Sequence, residues 1–556
     1  MTAASSSRFA QWRDHTLAPF QHRVFALFWW ASLVSSFGSL IQTVGASWLM
    51  ATIAPSANMV ALVQTAGALP FFFLSLIAGA FADTHDRRLV MLASIWLMFI
   101  ASGVLAALAL MGAVTPQVLL LMTFLIGCGT AAFAPAWQAA IADQVPRKEI
   151  AAAVMANAMG FNLARSVGPA LGGLIVAAAG AAAAFVINAF SYIGMLATLY
   201  WWRSPSSGSH LPPEPLGSAI ATGIRYVRLS PHIEAILLRA VLFAVPISAV
   251  PALMPVVARD LLGGGAPTYG ILLGGFGVGA MMGALSSAAL RARYSSDRLL
   301  RNLCAVASLA MLAISVSPYA WLTLLSHVVC GATWTLGLAN FNIAVQLSSP
   351  RWVTGRTLAL YQTFAFAGMA VGAWVWGEVA VVTGLREGMA IAGLFSLTTL
   401  LVAKWLPVSI AQAGSLDPHG VAGLGPPAVA LDPASGPIVV TIEYHVKVGR
   451  AGDFLRIINE LGRIRRRDGA RRWSVCQDLD RPHLWLERFE SPTWTDYQRR
   501  LTRPTLGDQQ IREQLKELVE DERGVPRRLI ERPAGSQPLG SVAQRVEPLD
   551  DTSTHG

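Results

Sequence analysis

The sequence predicts an all-α polytopic membrane protein of twelve transmembrane helices in two six-helix halves, followed by a small soluble α+β domain. Three observations carry that prediction. The 556 residues are 54% hydrophobic and only 13% charged, with a mean hydropathy of +0.50, whereas soluble domains carry about 25% charged residues. A dozen apolar runs are each long enough to cross a hydrocarbon core about 30 Å thick, which takes about 20 residues. After Pro407 the composition changes abruptly, and a period-two alternation replaces the long apolar runs.

Residues 1–23 are polar and lack the short apolar core and small-residue cleavage site of a removable signal, so they read as an N-terminal segment left in place. The first half, 24–203, holds apolar runs near 24–50, 57–82, 89–112, 117–142, 150–179 and 182–202. A linker, 204–233, is rich in Pro, Ser and Gly and ends in a short amphipathic piece with Arg225, Tyr226 and Arg228. The second half, 234–407, holds runs near 234–258, 267–290, 299–317, 320–348, 357–383 and 387–406. Short cytoplasmic loops are enriched in Lys and Arg. With the N-terminus inside, seventeen Lys and Arg between Arg8 and Lys404 fall in inner loops and only Arg259 and Arg386 in outer ones. Both termini are therefore expected in the cytoplasm, and the chain in the cytoplasmic (inner) membrane. The net charge of +10 is accounted for by this placement and does not call for nucleic acid as a partner.

The two halves echo each other. At an offset of 204 residues, Gly79 matches Gly283, Arg87 matches Arg291, Gly127 matches Gly331, Pro146 and Arg147 match Pro350 and Arg351, Gly168 matches Gly372 and Gly173 matches Gly377. Parallel repeats with a site between them near the midplane are the layout expected of an alternating-access transporter.

The stretch Gly79 to Arg88, GAFADTHDRR, separates two apolar runs. Asp or Arg at a bilayer centre costs about 2.5 to 3.5 kcal/mol, so this stretch is a water-facing turn. Asp83 and Arg87, and Asp86 and Arg88, are close enough in sequence to satisfy each other or a neighbouring helix end. The stretch resembles the loop signature of the major facilitator superfamily, with Gly79, Asp83, Arg87 and Arg88 in place and Thr84 and Asp86 departing from it. Its Asp-x-x-Asp-Arg-Arg form is similar to the transmembrane secretion effectors, the branch that includes the enterobactin exporter. Residues 35–50, 132–147 and 157–173 match the same branch. The resemblance implies the fold of that superfamily and a conformational latch made by Asp83, Arg87 and Asp143, the last standing where the family keeps an acid. The alternative is that these charges merely anchor loops to the headgroups.

Arg165, Gly168, Pro169, Gly172 and Gly173 resemble the Gly-Pro motif of exporters, with Met155 and Ala164 replacing its earlier glycines. Glycines let helices approach closely and proline bends a helix. Arg165 lies about 15 residues, or about 22 Å, into its helix, so it is expected to face a cavity or a buried partner; anionic substrate contact or gating is weighed against snorkelling. Gln42, Asn162, Asn340 and Glu378 are the other residues assigned to a substrate or proton pathway. Each is weighed against a purely interhelical hydrogen-bonding role, and Glu378 also against simple contact with water at the outer mouth.

Residues 408–436 form a Pro/Gly/Ala-rich flexible linker, 437–533 a soluble domain, and 534–556 a disordered tail. Within the domain the pattern reads strand 438–448, helix 453–467, strand 472–478, strand 483–490, helix 493–501 continued by 509–522, and strand 527–532. The order βαββαβ is that of a ferredoxin-like fold. Such domains often pair through their sheets, so dimerisation is expected here. The basic run Arg463 to Arg467 suits docking on anionic lipid at about 1 kcal/mol per residue, or a solvated helix end. Where the branch carries W-x-E-H-L-R-Q-H, this chain has Trp494 to Leu501 without either histidine.

No cofactor, metal or catalytic set is expected. Cys128, Cys304, Cys330 and Cys476 form no CxxC pair, and the chain lacks a Walker loop, which leaves ATP coupling within this polypeptide without a site. The reading is a secondary active exporter, not an enzyme, that moves small amphipathic molecules such as drugs or siderophores outward, with protons as the coupling ion and the lipid bilayer as its surroundings. The alternatives are a transporter-like sensor or scaffold that regulates its cytoplasmic tail, and a membrane-tethered oxygenase.

Overall fold

The computed structural model describes residues 18–54, 56–84, 86–141, 143–146, 149–202, 216–350, 352–408, 427–520 and 526–532, without the side chains of residues 75, 76, 78–84, 139, 151, 216 and 219. The predicted site residues Gly79 and Asp83 fall on α2 where side chains lie outside the described residues. Residues 1–17, 204–215 of the first predicted linker, 409–426 of the second and 533–556 also lie outside the described residues.

The first membrane helices are α1 (Arg23–Ile53), α2 (Ala57–Thr84), α3 (Arg87–Leu110), α4 (Pro116–Ile141) and α5 (Ile150–Trp201). Helix α5 has 52 residues, about 78 Å at 1.5 Å per residue. It is broken at Gly180, whose φ of 76° and ψ of 171° are non-helical. A side chain would be strained in that conformation, and glycine is not. After the amphipathic α6 (Leu216–Arg228) come α7 (Pro231–Ile247), α8 (Ala249–Val256), a π-helical turn (Val257–Leu261), α9 (Ala266–Arg293), α10 (Ser296–Val316), α11 (Ala320–Leu347), α12 (Thr354–Thr383) and α13 (Leu385–Val402). Among the described residues, eleven helical segments are long and apolar enough to cross a membrane, with α5 counted once and α7 to the π turn counted together.

Large apolar side chains remain exposed on these helices, including Leu285 at 79% and Val382 at 82%. Water would not tolerate so much apolar surface, but lipid tails do. The first half closes over Phe28, Met91, Ile95, Trp137 and Tyr192. A second core joins α1, α2 and α3 through Met50, Val60 and Leu105 to Phe185 of α5 and Val256 of α8.

The chain divides into two compact units: residues 1–220, 234–345 and 356–409 make the membrane unit, and 221–233, 346–355 and 410–556 make the second. The second unit contains β1 (Ile438–His445), α14 (Ala451–Arg467), β2 (Arg471–Gln477), β3 (Leu484–Ser491), α15 (Trp494–Leu501), α16 (Leu506–Glu517) and β4 (Arg527–Ile530). Its sheet runs β2-β3-β1-β4, with β1 antiparallel to both β3 and β4, and β2 antiparallel to β3. Helix α14 packs Phe454, Ile457, Ile458 and Leu461 on the sheet face that carries Val440, Ile442, Tyr444, Trp485 and Phe489.

Two elements of this domain have boundaries more than two residues away from the sequence reading. Strand β1 stops at His445 because Lys447 to Arg450 turn through Gly449, which has a φ of 79°. Helix α16 begins at Leu506 and ends at Glu517, where the sequence suggested 509–522. Thr505 and Asp508 form a reciprocal capping box that fixes its start. At its far end Val519 already bridges to Val446. The same unit holds two segments distant in sequence from this domain. Tyr226 of α6 lies edge-on to Trp352, the Arg467 guanidinium sits 5.4 Å from the Tyr226 ring centre, and that of Arg503 lies 4.4 Å from the Trp352 ring centre.

Candidate functional site

A cavity of about 190 Å³ lies within the membrane unit. Leu40 and Thr43 of α1, Gln64 of α2 and Arg165 and Pro169 of α5 line one side; Ile247, Pro251, Phe276, Trp334 and Met369, from α7, α8, α9, α11 and α12, line the other. Both sequence halves thus contribute walls. The lining is mostly apolar and aromatic, with a few converging polar groups, as binding cavities for small organic molecules are. Among the described residues the one cation in its lining is Arg165, whose guanidinium lies over Phe276, 5.8 Å from the ring centre. Among the described residues no carboxylate pairs with it.

Two seams bring the halves together beside this cavity. In the first, α5 meets α9. A Cβ added to Gly173 would lie 2.7 Å from the Ala266 carbonyl oxygen and 2.9 Å from Gly270 Cα, and one added to Gly270 would lie 2.7 Å from the Pro169 carbonyl oxygen. Gly277 backs directly onto the Arg165 backbone. Gly168 and Gly172 face the other way, with their missing Cβ atoms 3.1 Å from Leu40 Cβ and 3.1 Å from Ile41 Cα on α1. The glycines predicted from the Gly-Pro motif therefore serve contacts on two sides of α5. In the second seam, α2 meets α12: Asn58 donates to Glu378 at 2.9 Å, Thr65 donates to the Ala370 carbonyl at 3.0 Å, and Phe71 stacks on Phe366 at 4.4 Å.

The charged turn is assembled as follows. Asp86 caps α3 by accepting from the Arg88 backbone at 2.9 Å. Arg87 donates to Asp143 at 2.9 Å, and both are partly shielded from solvent. Arg88 donates to the carbonyls of Leu199 and Tyr200, each at 2.8 Å. A cation at those last carbonyls of α5 satisfies acceptors that the helix leaves open.

The predicted pathway residues part company. Glu378 sits in the α2–α12 seam. Gln42 does not line the cavity: it is 5% exposed and accepts from Ser102 at 2.6 Å and from Asn188, in a network that extends to Tyr192 inside the first half. Asn340 is buried against α10, donating to the Ser296 carbonyl at 3.2 Å. Asn162 donates back to the Ala158 carbonyl one turn earlier. Polar groups in an apolar interior take the nearest partner, so these three are held by their own half. Gln64 of α2 lines the cavity instead.

The sequence reading also passed over Arg239. It is 2% exposed on α7, donates to Asp297 at 3.3 Å and reaches the Leu406 carbonyl at 3.2 Å. An arginine inside the apolar run AILLRAVLFAV was the available signal.

Comparison with known proteins decides the family. The family model described as transmembrane secretion effector matches residues 14–533. The chain belongs to the transmembrane secretion effector family, within the major facilitator superfamily. Like this family's other members it is a multi-pass membrane transporter rather than an enzyme. It is 28% identical over 392 residues to the multidrug efflux pump Tap of Mycolicibacterium fortuitum, covering 68% of this chain and 94% of that one. The staphyloferrin A transporter of Staphylococcus aureus is 25% identical over 264 residues, 46% of this chain and 65% of that one. Among solved structures, a bacterial homologue of the human lysosomal transporter Spinster, inward-facing and occupied, aligns with a TM-score of 0.56 at 15% identity over 70% of this chain and 97% of the other. A POT family transporter in complex with 5-aminolevulinic acid aligns with a TM-score of 0.58 at 14% identity over 69% and 96%. These two carry the fold of the membrane unit alone.

Proposed function

We propose that this secretion effector is a secondary active exporter that moves small amphipathic molecules, such as drugs or siderophores, out of the cell by alternating access, in exchange for protons. The observation that carries the reading is the central cavity, whose walls come from both halves and whose single cation, Arg165, has no carboxylate partner among the described residues. A cavity bounded by two bodies that meet along glycine seams is what rocking of one half against the other requires. Relatives named as a multidrug efflux pump and as a siderophore transporter support the substrate class.

In this reading Gly180 divides α5 into two crossings, which brings the eleven segments to twelve. Both termini lie in the cytoplasm and the chain in the inner membrane, as the distribution of Lys and Arg supports. Arg87 and Asp143, with Asp83, act as the latch on the cytoplasmic side; Glu378 is the acid placed to exchange protons. The sheet order β2-β3-β1-β4 supports a ferredoxin-like fold for the C-terminal domain, through which copies of the chain pair.

Energised inverted membrane vesicles test the reading. Uptake of a fluorescent efflux substrate that depends on an imposed pH gradient, and that falls at least tenfold with Arg165→Ala, is the expected result. Substrate binding without any gradient-driven flux would replace the exporter with a sensor.

A further inference from the structure

Among the described residues, the charges gathered at the α14 end of the sheet do not balance. Arg465, Arg467, Arg500, Arg503 and Arg512 gather around the three carboxylates Asp468, Glu487 and Asp508, and each of those carboxylates is already bonded. Glu487, fully buried, accepts from Arg465 at 3.3 Å, from the Trp473 indole at 2.9 Å and from the Tyr444 hydroxyl at 2.9 Å. Arg467 bonds both Asp468, at 2.9 Å, and Asp508, at 2.7 Å. Arg503 takes the Asp468 backbone carbonyl.

Two cations are left over. Arg500, near the end of α15, is 6% exposed and Arg512, on α16, is partly buried. Among the described residues neither makes a hydrogen bond or an ion pair, and the Nε of each is sealed from solvent without a partner. The Arg500 guanidinium lies over the Phe489 ring at 4.2 Å and beside the Tyr497 ring at 5.5 Å. The same Phe489 ring carries Arg465 at 4.9 Å. Burial, and then repulsion by Arg465, push Arg500 down to about 9 and lower Arg512 as well. At about 9, Arg500 still bears its charge at neutral pH. A buried guanidinium that lacks a counter-charge is costly, and a fork of N–H donors matches an oxyanion.

We propose that Arg500 and Arg512, with Arg465 behind them, form a binding site for an oxyanion, the carboxylate or phosphate group of a ligand that enters past the partly exposed Arg512. The site belongs to the C-terminal domain and does not rest on the transport reading. Its occupancy gives that domain a way to report an anionic metabolite or headgroup, because the ligand ties α15 and α16 to the α14 end of the sheet.

The test uses the full-length protein in a neutral detergent at constant ionic strength. Hydrogen–deuterium exchange of peptides from α14, α15 and α16 is followed while chloride is replaced by inorganic phosphate or by acetate, with micelles containing phosphatidylglycerol as a third arm. Saturable protection, at least threefold slower exchange in these peptides, is expected with one or more of the three. It is lost in Arg500→Gln and in Arg512→Gln and kept in Arg456→Gln, an exposed arginine on α14. Protection by phosphate or acetate identifies a soluble ligand; protection by phosphatidylglycerol alone identifies a lipid headgroup. A purely structural role predicts that Arg500→Gln loosens these helices in chloride, whereas removal of an uncompensated cation leaves them as protected or more so. No protection by any of the three probes, or equal protection in both variants, overturns the site. If Arg500→Gln fails to fold, Arg512→Gln alone decides.

Discussion

Gly173 of α5 and Gly270 of α9 hold the two halves of the membrane unit in backbone contact, with the missing Cβ of Gly173 only 2.9 Å from Gly270 Cα. Packing without side chains is how helices associate where lipid removes the hydrophobic drive. Gly173→Leu is expected to wedge this seam open. The cavity would then change its exposure, and a cysteine introduced at Thr43 would react with a membrane-impermeant thiol reagent at a rate altered at least threefold. An unchanged rate in a folded protein would show that the seam does not gate the cavity.

The Arg87–Asp143 pair, at 2.9 Å and partly shielded, is expected to couple by about 1 kcal/mol, the upper end for an exposed pair. Asp143→Asn and Arg87→Gln should each slow substrate efflux several-fold. The exchange Arg87→Asp with Asp143→Arg should recover part of it, which a double-mutant cycle on efflux rates will measure.

Arg165 provides the cavity's cation. Arg165→Gln is predicted to weaken binding of an anionic substrate at least tenfold, about 1.4 kcal/mol, while a neutral substrate of similar size loses less than threefold. Binding to the purified protein by tryptophan quenching separates the two cases, since Trp334 also lines the cavity.

Arg239 is almost fully buried against Asp297. Asp297→Asn strands this guanidinium, at a cost of about 3 kcal/mol by analogy with broken buried pairs. Arg239→Met in the same chain should restore most of the thermal stability. A double mutant no more stable than Asp297→Asn would show that the pair does not act as a unit.

Arg500 gives a pH signature. Its folded value of about 9 lies well below the ordinary arginine value, so the unfolded chain holds the proton to higher pH than the folded one. Stability should therefore rise as pH climbs above 9 and flatten only beyond the ordinary arginine range. Burial keeps the Tyr226 hydroxyl protonated to about 12, and burial together with Glu487 keeps Tyr444 protonated well above its ordinary value. Comparing exchange protection of the C-terminal domain at pH 8 and pH 10 should show the rise in the native chain and its absence in Arg500→Met.

Much of the architecture could be read before any coordinates. The long apolar runs, the separation of those near 150–179 and 182–202 and the alternation from Ile438 onward follow from hydropathy and period, which depend only on what surrounds each face of a helix or strand. The Arg87–Asp143 contact was legible because the resemblance places an acid at 143. The fates of Gln42, Asn162 and Asn340 were not. A polar residue in an apolar run signals that a partner is needed, without saying whether a side chain, a carbonyl of its own helix or a substrate supplies it.

The sequence by itself therefore determined that this chain is a membrane-spanning bundle with an appended sheet domain, since composition and periodicity answer to solvent alone. Tertiary structure decided which glycines of α5 face α1 and which face α9, that Gln64 and not Gln42 reaches the cavity beside Arg165, and that Arg500 is buried without an ion-pair partner among the described residues. Those outcomes depend on helix rotation and on groups far apart in the chain, and a one-dimensional pattern carries neither.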